Sequence, residues 1–150
     1  MFITKECDYG IRIIRALADG TKKTANIISN EEKIPYTITS KIIKKLMNAA
    51  YVQSIRGSNG GYQLSRPLDT ITLVDIITAV DANRCINECL RNSSVCDFKS
   101  HPDRPCTVHH ELAQAQDIMV SALRSKTMDT VIYGKFLSAV PNAPFGDTVI

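Results

Sequence analysis

Four of the five cysteines, Cys85, Cys89, Cys96 and Cys106, fall within one stretch of about twenty residues. Thiolates gathered this closely are suited to soft metal ions and iron–sulfur clusters, which they hold through covalent bonds. The surrounding segment, Asp81 to Pro105, has little periodicity. Asn83, Asn87, Asn92, Ser93, Ser94, Asp97, Pro102, Asp103 and Pro105 all favour loop structure. A loop of this length inside a compact domain is uncommon unless it is disordered or functional, and a bound metal centre would organise it. From the residues alone, zinc, a thiol-based redox switch and cysteines without function remain alternatives to a cluster. Cys106 and His109 stand one helical turn apart, but nothing around them completes a nucleophile–base constellation.

A second group of chemically apt residues lies in Ile34 to Arg66, IPYTITSKIIKKLMNAAYVQSIRGSNGGYQLSR. Pro35 suits a first helical turn, where its missing N–H has no partner to lose. Ile38, Ile42, Ile43 and Leu46 recur at helical spacing and define a buried stripe. The opposite face carries Thr37, Ser40, Lys41, Lys44, Lys45 and Asn48, all able to donate to phosphates or base edges. Tyr51, Val52 and Ile55 read as a short strand. Gly57, Gly60 and Gly61 mark a turn, Tyr62 and Leu64 begin the return strand, and Arg56 sits at the lip of the turn. A helix followed by a basic hairpin is the plan of a winged helix. The plainer reading is a helix packed on a hairpin, with lysines that merely solvate its outer face.

The elements that must position these groups follow in order. Lys5 to Asp19 reads as a helix with Tyr9, Ile13, Ala16 and Leu17 inward, ended by Gly20. Thr24 is a candidate N-cap for a short helix to about Glu32. A turn then leads to the helix after Pro35, giving a helix-turn-helix. Beyond Arg66-Pro67, Thr72 caps a helix in LVDIITAV that buries Leu73, Ile76, Ile77 and Val80. From Thr107 to Lys126 helical spacing returns, with Leu112, Ala115, Met119 and Ala122 on one face and Ile118 and Leu123 beside it. A long helix in this position commonly packs against a symmetry mate, which would pair two recognition helices on one duplex. Met128 to Phe136 adds a short helix.

The chain has 150 residues, and its net charge of +3 is unevenly spread. Residues 1–66 hold 11 Lys/Arg and 5 Asp/Glu, or +6, and the remainder holds 7 and 10, or −3. A basic front half joined to a mildly acidic back half fits a DNA-binding module with a sensing or dimerising one. No apolar run approaches membrane-spanning length and the start, MFITKECDYG, lacks a signal pattern, so a cytoplasmic location with no membrane partner is expected. Five cysteines in such a chain argue against a disulfide scaffold. The glycines of 57–61 lie in a hairpin and do not open a helix, so they do not form a nucleotide-binding loop. An enzyme is not expected.

RGSNGGYQLSRP followed by ITLVDIITAVD, with Thr4-Lys5 and Asp8-Tyr9 near the start, resembles the IscR/NsrR/CymR-type (Rrf-two) family of winged helix-turn-helix transcriptional regulators. The likeness runs from Met1 to about Tyr133. It implies a homodimer that binds a palindromic operator in double-stranded DNA. Thr37, Thr39, Ser40, Lys41 and Lys44 would enter the major groove. Arg56, with Gly57, Ser58, Asn59, Gly60 and Tyr62 of the wing, would reach the minor groove. The resemblance also implies an iron–sulfur cluster, [2Fe–2S] or [4Fe–4S], held by Cys89, Cys96 and Cys106. Asp8 would be the fourth ligand, matching the nitric-oxide-sensing branch, with Cys85 and His109 as alternatives. Six residues separate Cys89 from Cys96 and nine separate Cys96 from Cys106, wider than the family's usual spacing. Ser40 stands where some members carry an acidic residue, so the operator need not match theirs.

The expected architecture is mainly α with a small β-hairpin: a winged helix-turn-helix plus a long C-terminal dimerisation helix. Its parts are a DNA-binding domain (1–80), a cysteine-rich cluster-binding loop (81–106), a dimerisation helix region (107–136) and a mobile tail (137–150). The rival expectations are a regulator of the same fold that uses a thiol switch or partner protein without a cluster, and a zinc-stapled structural protein.

Overall fold

The computed structural model describes residues 3–57, 59–82, 85–91 and 106–134. Its elements run α1 (Lys5–Ala16), α2 (Ala25–Glu32), α3 (Tyr36–Asn48), β1 (Val52–Ile55), β2 (Gly61–Leu64), α4 (Leu73–Val80), α5 (Thr107–Arg124) and α6 (Met128–Tyr133). This is the mainly helical, winged architecture expected. The tail from residue 137 lies outside the described residues.

In α1, Cys7, Tyr9, Gly10, Ile13, Ile14 and Ala16 repeat at helical spacing and are buried. Glu6 and Asp8 in its first turn and Arg15 in its last oppose the helix dipole in the favourable sense. The helix closes at Ala16, three residues before the expected end, as the Leu17 N–H turns back to Ile13 O and Ile14 O. Gly20, at φ +75°, completes the reversal and donates to Leu17 O.

The helix-turn-helix is fixed by local bonds. Thr24 caps α2 by accepting from the Ile27 N–H at 3.3 Å. Lys33, in the left-handed region at φ 53°, ends α2, and Ser29 then stitches the turn. Its backbone carbonyl accepts from Ile34 N, and its buried hydroxyl donates to Ile34 O at 2.7 Å. Glu32 is buried at the end of α2 and would be costly there without partners. Arg12 and Arg15 of α1 supply them: Arg15 Nε donates to Glu32 Oε1 at 3.1 Å, while Arg12 reaches both the Glu32 carboxylate and its backbone carbonyl.

Ile13, Ile14, Leu17, Ile28, Ile42, Ile43, Leu46, Ile71 and Ile76 are fully buried in one core. Each contributes about 1.5–3 kcal/mol relative to exposure. α3 packs against α1, α2 and α4. A capping box starts α4: Thr72 Oγ1 accepts from Asp75 N, and Asp75 Oδ2 accepts from Thr72 N. Val74 is buried there, whereas Leu73, expected inward, is only half-buried. The chain returns to this point after α5. Leu73 N donates to Lys126 O at 3.0 Å, Met128 N donates to Ile71 O at 2.7 Å, and Met128 is fully buried.

α1 and α4 approach each other closely at Gly10. A Cβ there would stand 2.7 Å from Val80 Cγ2 and 3.2 Å from Ile76 Cγ2. Gly10→Val is therefore expected to destabilise the fold by about 1–3 kcal/mol or more, the usual cost of overpacking. Urea denaturation followed by circular dichroism would check this, and an unchanged midpoint would contradict it.

Candidate nucleic-acid interface and cysteine site

Burial fixes the rotation of α3. Thr39, Ile42, Ile43 and Leu46 face the core, with Ile38 half-buried beside them. Thr37, Lys41, Lys44 and Asn48 are exposed and Ser40 is partly so, as the helical spacing implied. Thr39 departs from expectation. Its side chain is fully buried and donates to Pro35 O at 3.2 Å, so it closes the first turn and does not face a ligand. Lys45 also departs. It is half-buried, and its Nζ donates to Val80 O at 2.7 Å, capping the last carbonyls of α4. Tyr36 is a surface residue that the polar pattern does not single out, although its spacing from Ser40 and Lys44 places it on their side; it is 55% exposed.

The wing follows α3 directly. Ala50, at φ 57°, makes the turn, and Tyr51 N donates to Leu46 O at 2.9 Å. β1 and β2 pair antiparallel from Val52↔Leu64 to Ile55↔Gly61. Tyr51, expected in the strand, precedes it, and its ring carries the Arg66 guanidinium 5.2 Å from its centroid. The hairpin is also tied to the loop between α1 and α2. Lys23 N donates to Tyr62 O at 3.0 Å and Tyr62 N donates to Lys23 O at 2.8 Å. That approach requires Gly61, since a Cβ there would lie 2.9 Å from Lys23 O. At the tip, Gly57 takes φ +122°, and a Cβ on Gly60 would meet Ile55 O at 2.5 Å. Arg56 and Asn59 are exposed beside these glycines, while Tyr62 is half-buried; Ser58 lies outside the described residues.

One carboxylate leans into this surface. Glu6 of α1 accepts from Lys41 Nζ at 2.8 Å and from Lys45 Nζ at 2.9 Å. Bonding by Lys41, then by Lys45, holds its carboxyl below the ordinary glutamate range. Neither Lys44 nor Arg56 forms an ion pair with any described residue.

The cysteine site is described in part. Cys106 is the N-cap residue of α5, and His109 is one turn into the helix. Both are half-buried, and His109 Nδ1 is buried with no hydrogen-bond partner among the described residues. An orphaned imidazole nitrogen one turn from a thiol fits a metal-ligating role. Cys85 and Cys89 are half-buried on a segment held against α5 by Ile86 N, which donates to Gln116 Oε1 at 3.0 Å. Asp8 is exposed and paired with Arg12 of its own helix at 3.4 Å. Cys96 lies outside the described residues. Among the described residues no three His, Cys, Asp or Glu side chains converge on one point. Cys7, on the inner face of α1, is fully buried, with its Sγ 3.0 Å from Thr4 Oγ1. No described helix is long and apolar enough to cross a membrane.

Residues 3–134 match the family model described as "Rrf2: Iron-dependent Transcriptional regulator". Protein aau3 of Rhizobium meliloti (strain 1021) is 26% identical over 135 residues, covering 88% of this chain and 85% of that protein. Two solved structures share the fold. CymR (YrzC), the global cysteine regulator of B. subtilis, has a TM-score of 0.70 at 24% identity, covering 90% of this chain and 98% of its own. T. potens IscR has a TM-score of 0.68 at 20% identity, covering 89% and 87%.

The lysine-bound Glu6 makes a signed prediction for stability. A carboxyl whose pKa is lowered on folding contributes stability above its unfolded value, here 4.5, and loses it as pH falls through the folded value. The groups are partly exposed, so the contribution is about 0.2–1 kcal/mol. Glu6→Gln is expected to be less stable than wild type near neutral pH, with the two converging as pH drops well below 4.5. Urea titrations across that range would check it; a gap that persists or widens in acid would contradict it.

Proposed function

The chain belongs to the Rrf2 family of iron-dependent transcriptional regulators, and from that premise we propose a homodimer that reads a palindromic operator and senses iron–sulfur, redox or nitric oxide status. The carrying observation is the outward face of α3. Three helices cover its other side, while Thr37, Ser40, Lys44 and Asn48 are left without a described element over them, directly before an arginine-tipped hairpin. In this reading α3 enters the major groove through those residues and Lys41. Arg56, Gly57, Ser58, Asn59 and Gly60 form the wing that reaches the neighbouring minor groove. Thr39 and Lys45 contribute by positioning the helix.

Dimerisation is supported by α5. None of its 18 residues is fully buried. Leu112, Met119 and Leu123 are half-buried, and Leu123 packs against the core. Val108, Ala115, Ile118 and Ala122 are exposed at spacings of seven, three and four, with Ile118 72% exposed. A second apolar row at that spacing fits another helix, so a symmetry mate of α5 is the natural partner.

Cys89, Cys96 and Cys106 would hold the iron–sulfur cluster, with Asp8 of the facing subunit or His109 as fourth ligand and Cys85 in reserve. The orphaned His109 nitrogen is the structural support for a ligand set at this end of α5. When bound, such a cluster supplies a centre that oxidants and nitric oxide can modify. The protein's own part is mechanical. Gln116 fastens the cysteine segment to α5, and the Thr72–Thr127 bridge fastens the end of α5 to α4, which packs on α1 and α3.

The DNA reading is tested by selecting an operator from random duplexes and measuring affinity against salt. Wild type is expected to bind with two chains per site. Lys44→Ala should weaken binding, with a salt slope shallower by about 1 for each phosphate left unneutralised, and Arg56→Ala should also weaken it. Unchanged affinity in both variants would contradict the interface, and one chain per site would contradict the dimer. The cofactor is tested by anaerobic reconstitution followed by iron and sulfide analysis. Stoichiometric iron and sulfide with visible absorption are expected, reduced in Cys106→Ser. A colourless, iron-free protein would leave the thiol switch as the better account, and tightly held zinc the structural one.

A further inference from the structure

Resting on the duplex-binding reading of α3, we propose that Glu6 is a specificity-determining residue: it holds Lys41 as an internal counter-ion that a fitted phosphate must displace, and so weakens indiscriminate binding more than operator binding. Geometry carries the assignment. In helical projection Lys44 lies near the middle of the exposed arc of α3. Lys41 lies toward one edge, and Lys45 just beyond it. Glu6 sits across that edge on α1 and bonds both lysines.

The two lysines are not equivalent. Lys45 is half-buried and also donates to Val80 O, so it is fixed whether or not DNA is present. Lys41 is exposed, and Glu6 is its ion-pair partner among the described residues. When a phosphate comes within reach, Lys41 can exchange carboxylate for phosphate while Lys45 keeps Glu6 paired. No buried charge is left alone by the exchange.

The consequence concerns discrimination. Non-specific duplex binding rests almost wholly on cation–phosphate attraction and counter-ion release. A cation already neutralised on the protein contributes little to such binding, and the neighbouring carboxylate repels any loosely placed backbone. A register-fitted operator, held at other points as well, presents its phosphate at fixed geometry and can complete the exchange. Glu6 therefore opposes the loose complex more than the fitted one.

The test uses full-length protein with two probes, a mixed-sequence duplex of about 30 base pairs and the selected operator, across a salt series. For Glu6→Gln the mixed duplex is expected to bind about three- to tenfold tighter, with a salt slope steeper by about 1 per subunit. The operator should gain less, so the specificity ratio falls. In a double-mutant cycle, Lys41→Ala should cost more mixed-duplex affinity in the Glu6→Gln background than in wild type. That coupling does not follow from a general loss of stability, which circular dichroism would report separately. Unchanged or weaker mixed-duplex binding, an equal gain for both probes, or no coupling with Lys41 would overturn the proposal. A wild-type chain that binds neither duplex would instead overturn the regulator reading beneath it.

Discussion

The fixed rotation of α3 is the constraint on which the rest of the molecule depends. Thr39, Ile42, Ile43 and Leu46 turn one side of that helix into the common core of α1, α2 and α4. A helix pinned along one side can present only the opposite side, so the identity of the surface residues follows from the buried ones. The supporting bonds serve the same end. The Arg12–Arg15–Glu32 group locks α2 to α1, Ser29 fixes the turn into α3, and Lys45 ties α3 to the end of α4. Truncating either arginine would leave the buried Glu32 carboxylate with fewer partners, and that uncompensated burial is the cost that holds α2 in this place.

The wing is placed by backbone chemistry more than by side chains. Gly61 permits the close approach of Lys23, and Gly60 and Gly57 permit the tight tip behind Arg56. These glycines are legible as turn residues in the sequence. Their particular duties are not, because the strand-like partner at Lys23 is distant along the chain. Helix starts are legible where a side-chain cap announces them, as at Thr24 and Thr72. The end of α1 is less so, since Leu17 closes it through backbone bonds while Gly20 acts three residues later.

Departures from expectation on the recognition face have two sources. The resemblance carries Thr39 into the contact set, but helical spacing puts it on the stripe of Ile42, Ile43 and Leu46, where it satisfies its hydroxyl on its own helix and is buried. Spacing in turn places a polar residue on an arc but does not say what packs beside it. Lys45 falls at the margin of the exposed arc, where α1 and α4 capture it through Glu6 and Val80. Tyr36 and Glu6 escape a reading by polar pattern for the converse reason: one is aromatic and the other belongs to a helix remote in sequence. The cysteine segment is legible as chemistry through residue type and crowding, and the start of α5 after Cys106 falls where helical spacing resumes. The orphaned nitrogen of His109 cannot be read from sequence, because it depends on what surrounds the helix.

α3 and the wing thus stand as an adjoining pair, attached through short connections to a core that continues, by way of α4 and the Thr127 bridge, to α5 and the cysteine segment. The most direct test of the pair is a nuclear magnetic resonance titration of the labelled protein with its selected operator. Shift changes should concentrate at Tyr36, Thr37, Ser40, Lys41, Lys44 and Asn48 and at the tip from Arg56 to Gly60, with α2 and the outer row of α5 little altered. Changes centred on α5 or α2, with α3 and the wing tip unmoved, would contradict the account.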